Sequence, residues 1–196
     1  MGIKFNEVVF YKSVSLGAEQ VLFDNKKEIV FVGRSNMGKS SLMNAIFEKK
    51  DLVKTSSTPG KTRLANIFTV GKKYYLTDLP GYGFAKLGRD FKEQLEGLIS
   101  WYLEERKSSI KKVVMLIDSK LGAQESDLDM YKYILGLELP VTIVLSKIDK
   151  LSKNELMKSI NHAKESFFGQ EIIAVSSSKN IGILDLCKNI QAALIK

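Results

Sequence analysis

The sequence predicts an α/β protein, a mainly parallel sheet with helices on both faces, and three observations predict it. Short apolar, β-branched runs alternate along the chain with segments of helical periodicity. Two of those runs are separated only by Gly71 and Lys72, too little chain for a parallel crossover and enough for an antiparallel hairpin. A glycine-containing octapeptide, Gly33-Arg34-Ser35-Asn36-Met37-Gly38-Lys39-Ser40, joins the apolar run Ile29 to Val32 to a helix-like stretch, Ser41 to Phe47.

Taken in order, the strand-like runs are Glu28 to Gly33, Leu64 to Val70, Lys73 to Leu79, Lys112 to Asp118, Val141 to Ser146 and Glu171 to Ser176, giving a six-stranded sheet with one antiparallel strand. Helical patterns cover about Lys39 to Phe47, Phe91 to Glu105, Ser126 to Gly136, Lys153 to Phe168 and Gly182 to Ile195. Buried strands alternating with helices place ligands beyond the carboxyl ends of the strands. Residues 1–25 carry only a weak strand signal at Val8 to Tyr11 and are expected to form an extension packed on the core, leaving 26–196 as a single domain. No repeat, low-complexity tract or linker interrupts it, and a chain of 196 residues suffices for one core. Trp101 and Tyr102 are expected to pack in that core rather than to stack on a base.

The single cysteine, Cys187, permits no internal disulfide, which fits a reducing compartment, and the lone His162 argues against an imidazole-based metal site. No apolar stretch approaches the ~18 residues needed to cross a bilayer. The start Met1-Gly2-Ile3-Lys4-Phe5-Asn6 has Asn6 where a myristoylation signal wants Ser or Thr, and the end lacks a prenylatable cysteine. The expectation is a soluble, cytoplasmic monomer without a membrane anchor. Thirty Lys and Arg against 22 Asp and Glu give a formal charge of +8, which suits a polyanionic partner. Lys49, Lys50, Lys54, Lys61 and Arg63 cluster after the first helix, and Lys86, Arg89 and Lys92 form a second group.

The octapeptide reads G-x-x-x-x-G-K-S, in which the glycines let successive N–H groups turn inward around a phosphate and the next helix adds its positive end. Gly33, Arg34, Ser35, Asn36, Met37 and Gly38 would line the phosphates, Lys39 would lie along them, and Ser40 would ligate Mg²⁺. At the end of the third run stands Asp78-Leu79-Pro80-Gly81, a D-x-x-G in which Asp78 would hold a Mg²⁺ water and the Gly81 amide would donate to a γ-phosphate. Between them, Thr58-Pro59-Gly60-Lys61-Thr62 lies in a polar, aperiodic segment. Gly60, Lys61 and Thr62 would meet the nucleotide there, with Thr62 as a Mg²⁺ ligand and Thr58 or Thr55 as alternatives. At the end of the fifth run, Ser146-Lys147-Ile148-Asp149 reads a base: a carboxylate at Asp149 accepts from both N1–H and the 2-amino group of guanine, which adenine cannot offer. The Lys147 stem covers the ring face. The turn Ser176-Ser177-Ser178-Lys179 supplies amides for guanine O6.

With these pieces in order, the chain resembles the translation-factor-class GTPases (the TrmE-Era-EngA-EngB-septin-like superfamily), and its details resemble the EngB/YsxC/YihA family of ribosome-biogenesis GTPases. The residues carrying the likeness are Gly33 to Leu42, Thr58 to Thr62 and above all Asp78-Leu79-Pro80-Gly81-Tyr82-Gly83-Phe84-Ala85-Lys86, within a resemblance spanning about Glu28 to Leu194. It implies a P-loop NTPase of the Ras-like GTPase fold that binds GTP and GDP, uses Mg²⁺, assists late assembly of the large ribosomal subunit by contact with its rRNA, and is needed for normal division and septation. Ser146 stands where the family usually has threonine, and Arg63 where it usually has glutamine. Many GTPases place a water-orienting glutamine directly after D-x-x-G. Here Tyr82 holds that position, so hydrolysis is expected to be slow. In related GTPases an asparagine at the Asn36 position resembles part of a K⁺ site, which adds Asn36 to Lys39, Thr62 and Gly81 as candidate catalytic groups; the other reading of Asn36 is that it only satisfies loop backbone. Two rivals follow from the same motifs: a GTP-dependent binding module for division proteins with incidental hydrolysis, and a nucleotide or small-molecule kinase, which the guanine motif and the lack of an Arg-rich lid disfavour.

Overall fold

The computed structural model describes residues 2–18, 24–53, 64–83 and 88–196. Its strands are β1 (Val8–Val14), β2 (Glu28–Gly33), β3 (Ala65–Val70), β4 (Tyr74–Asp78), β5 (Ile110–Asp118), β6 (Val141–Ser146) and β7 (Glu171–Ala174). The helices are α1 (Lys39–Ile46), α2 (Arg89–Glu105), α3 (Glu125–Gly136), α4 (Lys153–Ser166) and α5 (Ile183–Ile195). The strands form one sheet in the order β1-β3-β4-β2-β5-β6-β7. β2 pairs in parallel with β4 and β5, and β5, β6 and β7 continue in parallel. β3 is antiparallel to both its neighbours, as the spacer at Gly71 and Lys72 requires.

The alternation within β2 explains the three layers. Val30 and Val32 face a cluster built from α2, α3 and α4, through Ile99, Tyr102, Tyr131, Ile134 and Phe167. Ile29 and Phe31 face the other side, against Leu42, Met43 and Ile46 of α1 and Leu186, Ile190 and Leu194 of α5. A strand apolar on both faces is what a sheet covered twice demands. Trp101 and Tyr102 pack in the first cluster, in line with their expected role.

Among the described residues seven strands stand where six were expected. The N-terminal segment does more than pack on the core: β1 enters the sheet beside β3, from Val8 opposite Val70 to Val14 opposite Ala65. Its signal was weak because the register shifts between Phe10 and Lys12. A bulge breaks period-two alternation: Phe10 pairs with Phe68 but Lys12 with Ile67, so residues two apart fall on opposite faces of the sheet, where Phe10 packs edge-on against Phe68 and Tyr11 stacks on Tyr75. At the end of the sheet away from the strands' carboxyl ends, Glu28 is fully buried and accepts from Arg106 Nε at 3.0 Å and Tyr102 Oη at 2.5 Å, tying the end of α2 to the start of β2. A buried carboxylate is tolerable only with such partners.

Helix starts follow their sequence signals. Ser152 caps α4 through a reciprocal capping box with Glu155, and Gln124 and Asp127 do the same for α3. α5 begins after Gly182, whose φ is +70° and where an added Cβ would lie 2.2 Å from the Ala174 carbonyl oxygen. That contact is with backbone and cannot swing away. Gly182→Ala therefore combines left-handed strain with a clash, and is expected to lower the thermal unfolding midpoint by about 5 to 10 °C in calorimetry.

Candidate functional site

At the carboxyl end of β2 the chain turns twice through left-handed backbone, at Asn36 (φ 66°) and Gly38 (φ 95°), before α1 starts at Lys39. Gly38 lies where other residues are strained, and asparagine is among the few that accept the Asn36 geometry. That gives Asn36 a backbone reason to be there, independent of any cation. Such turns direct amides into one concavity, and the first N–H groups of α1 add donors without intrahelical partners. Gly33 has a different reason: a Cβ there would lie 3.0 Å from the Leu116 carbonyl oxygen of β5.

The D-x-x-G turn lies directly against this loop. Leu79 is buried and donates its N–H to Phe31 O at 3.2 Å, which continues the β2–β4 ladder beyond Asp78. Ser35 N–H donates to Tyr82 O at 3.0 Å, and Arg34 bridges Tyr82 in parallel. Pro80 is buried. A Cβ at Gly81 would come within 2.8 Å of Ser35 Cα, so only glycine permits this approach.

Lys39 and Asp78 face each other across the turn, Nζ to Oδ1 at 3.8 Å. Asp78 Oδ1 is buried and has no hydrogen-bond partner. Burial pushes the Asp78 carboxyl above its ordinary value, although the Lys39 ammonium pulls the other way. A buried carboxylate oxygen short of partners, beside the first turn of α1 that carries Ser40, fits a hydrated divalent cation. Among the described residues no cluster of three or more His, Cys, Asp or Glu could hold a metal alone. Mg²⁺ does not require one, because it keeps several waters and takes phosphate oxygens.

The end of β6 joins the same site. Ser146 Oγ donates to Met37 O at 2.8 Å, with Ile117 O 3.2 Å away, so the serine that replaces threonine points at the phosphate loop. Lys147, itself left-handed at φ 60°, sends Nζ to Asn36 O at 2.7 Å and to Asp118 Oδ2 at 2.8 Å. Ile148 is buried and donates to Val175 O at 3.3 Å, anchoring the turn that carries Asp149. Asp149 Oδ1 accepts from Ser176 Oγ at 2.6 Å, and Ser176 Oγ also lies 3.1 Å from Ser178 Oγ. The Ser176 hydroxyl is the main cause that holds the Asp149 carboxyl below its ordinary value. Ser177 lies in the same turn, closed by paired hydrogen bonds between Ser176 and Ile181.

The structure thus brings together Gly33 to Ser40, Asp78 to Gly81, Ser146 to Asp149 and Ser176 to Ser178. Gly60, Lys61 and Thr62, with the alternatives Thr58 and Thr55, lie outside the described residues, as does Lys86. Two residues absent from the sequence reading emerge. Asp118 ends β5 opposite Ser146 and pairs with Lys147, and its signal was an acidic residue closing an apolar strand, as Asp78 does. Asp127 accepts from the Tyr82 hydroxyl at 2.9 Å, a pairing across sequence that no local motif announces.

A family model described as "50S ribosome-binding GTPase" matches residues 28–147, from β2 through Lys147. The probable GTP-binding protein EngB of Aquifex aeolicus is 44% identical over 152 residues, 78% of this chain and 82% of its own. That of Chlorobium phaeobacteroides is 44% identical over 177 residues, 90% of this chain and 91% of its own. A crystal structure of a probable GTP-binding protein EngB superposes with a TM-score of 0.72 at 25% identity, covering 85% of this chain and 98% of that one. Era in complex with MgGDPNP and a 16S ribosomal RNA segment reaches a TM-score of 0.69 at 23% identity, covering 85% of this chain and 56% of that one, a likeness of fold. Identity of this order along most of both chains settles the relationship: the chain belongs to the EngB family of GTP-binding proteins.

Proposed function

We propose that the protein binds GDP and GTP with Mg²⁺ at this site, hydrolyses GTP slowly, and in its GTP form assists assembly of the large ribosomal subunit in the cytoplasm, with normal division depending on that role. The observation that carries the nucleotide reading is the Asp149 carboxylate, kept ionised and oriented by Ser176, on the same rim as a phosphate loop that Lys147 holds from behind. The ribosome-binding character of the matching family and the basic balance of the chain support the ribosomal partner.

In this reading the phosphate loop and the start of α1 would receive the phosphates through amides other than those of Ser35 and Met37, which donate to Tyr82 O and Arg34 O; Lys39 would neutralise them, and Ser40, Asp78 and Thr62 would hold the metal. Bound Mg²⁺ supplies charge neutralisation between phosphate oxygens. The Gly81 amide would meet the γ-phosphate, with Gly60, Lys61 and Thr62 as further nucleotide contacts. Slow turnover follows from where Tyr82 points: its side chain is only 4% exposed and its hydroxyl donates to Asp127, so no side chain directly after D-x-x-G is available to orient water. Asn36 would then assist through K⁺ at the phosphates, a role tested by hydrolysis rates in K⁺ against Na⁺.

Calorimetry should show GDP and GTP binding with ATP weaker by roughly 10⁴-fold, because adenine leaves the Asp149 acceptor unpaired. Asp149→Asn should move preference toward xanthine nucleotides, whose 2-carbonyl accepts from an amide. Ser176→Ala should weaken GDP binding by about 3- to 10-fold, the worth of one orienting hydrogen bond. Comparable affinities for ATP and GTP in the native protein would overturn the guanine assignment. For the ribosomal role, the protein should co-sediment with large-subunit particles in the presence of a non-hydrolysable GTP analogue and less so with GDP. Charge reversal at Lys86 and Arg89 should weaken that association most at low salt, with the difference from the native protein narrowing as salt rises, without changing GDP affinity. Association with the particles that is indifferent to nucleotide would count against an assembly switch.

A further inference from the structure

Tyr82 is gripped from two sides. Its carbonyl accepts from Ser35 N–H of the phosphate loop at 3.0 Å, while its phenol donates to Asp127 Oδ1 at 2.9 Å in the first turn of α3. Asp127 is 1% exposed and uses its other oxygen on Gln124 N–H at 3.0 Å, so its carboxylate is itself fixed. Burial, and after it the Asp127 carboxylate, pushes the Tyr82 hydroxyl far above its ordinary value, so the phenol remains a donor wherever the protein is folded. The next residue is equally confined. Gly83 has φ +72°, and a Cβ there would lie 2.9 Å from Arg34 Nε and 3.1 Å from Ser126 Oγ, between the phosphate loop and the start of α3.

The residue before Tyr82 is Gly81, whose backbone is pressed against Ser35. Any swing of Gly81 away from the phosphate loop turns the peptide that joins it to Tyr82. Burial of the ring alone tolerates such a swing by sliding; a directional bond to a fixed buried carboxylate does not. We propose that Asp127 is a positioning residue for the D-x-x-G turn, holding Tyr82 so that the Gly81 amide stays where a γ-phosphate would meet it, and so favouring GTP over GDP. This rests on the nucleotide site assigned above. The α- and β-phosphates belong to the loop and the start of α1, so the Asp127–Tyr82 link bears on the γ-phosphate alone.

The test is the affinity of the full chain for GDP and for a non-hydrolysable GTP analogue, together with single-turnover hydrolysis. Tyr82→Phe keeps the ring and deletes the donor. It should leave GDP affinity within about twofold while weakening the analogue and slowing hydrolysis by about tenfold, the effect of one hydrogen bond to a carboxylate. Asp127→Asn retains a weaker, neutral acceptor and should fall between native and Tyr82→Phe. Adding Asp127→Ala to Tyr82→Phe should lower thermal stability through the lost α3 cap but leave the GTP-to-GDP ratio where Tyr82→Phe alone put it. A ratio unchanged by Tyr82→Phe, with GDP still bound, makes the link structural only and overturns the proposal while sparing the site. Failure of the native protein to bind GDP overturns the site reading and this inference with it.

Discussion

One ammonium group ties the site together. Lys147 reaches both the Asn36 carbonyl of the phosphate loop and the Asp118 carboxylate at the end of β5, from a backbone position at the end of β6. Three segments distant in sequence are fixed by two charge-assisted contacts, which are shorter and stronger than neutral ones. Burial by itself would raise the Asp118 pKa, but the Lys147 ammonium and the amides of Lys120 and Leu121 outweigh it, and the carboxyl sits below its ordinary value. A depressed carboxyl contributes stability above its unfolded pKa and loses it only as pH falls through the folded one, so this tie is complete throughout the neutral and mildly acidic range. Without Lys147, Asp118 would keep its burial and lose its counterion.

The tie works because the sheet is parallel where it matters. Parallel register carries Gly33 opposite Leu116, Phe31 opposite Asp78 and Asp118 opposite Ser146, so four strands release their loops at one edge. Close approach there is bought with glycine at two points of different kind: Gly33, extended and hard against β5, and Gly81, hard against Ser35. In neither case is a left-handed backbone the reason. The requirement is proximity of main chains, which a methyl group would prevent.

These local requirements explain what was legible in the sequence. Gly33 to Ser40 and Ser146 to Asp149 were readable because each forms a motif within a few consecutive residues, and the strands beneath them are continuous apolar runs. Strand β1 was not, since the bulge at Tyr11 puts Phe10 and Lys12, two residues apart, on opposite faces and so interrupts the alternation on which strand recognition depends. Asp118 and Asp127 were missed for another reason. Their contacts with Lys147 and Tyr82 pair residues tens of positions apart, and beyond the acidic residue that closes the β5 run no periodicity or spacing marks those pairings. The Tyr82 position was recognised as a departure from a water-orienting residue, but where its phenol goes depends on α3, which nothing near Tyr82 in the chain encodes.

The two halves of the site differ in how they are made. On the base side the groups already hold one another: one Asp149 oxygen accepts from Ser176, Ser146 donates to the Met37 carbonyl, and Lys147 reaches Asn36 and Asp118. On the phosphate side Asp78 is buried with one oxygen unpartnered and the Lys39 ammonium 3.8 Å away, and burial raises its pKa. A raised carboxyl opposes folding while it is ionised and ceases to do so as pH falls below its folded value, so at neutral pH Asp78 stores a cost within the native state. A cation and the phosphates it accompanies relieve that cost, whereas the base side has little left to gain in charge. Nucleotide binding is therefore expected to order and stabilise the Asp78 turn more than the Asp149 turn, and the element poised to respond is the one that Tyr82 connects to α3.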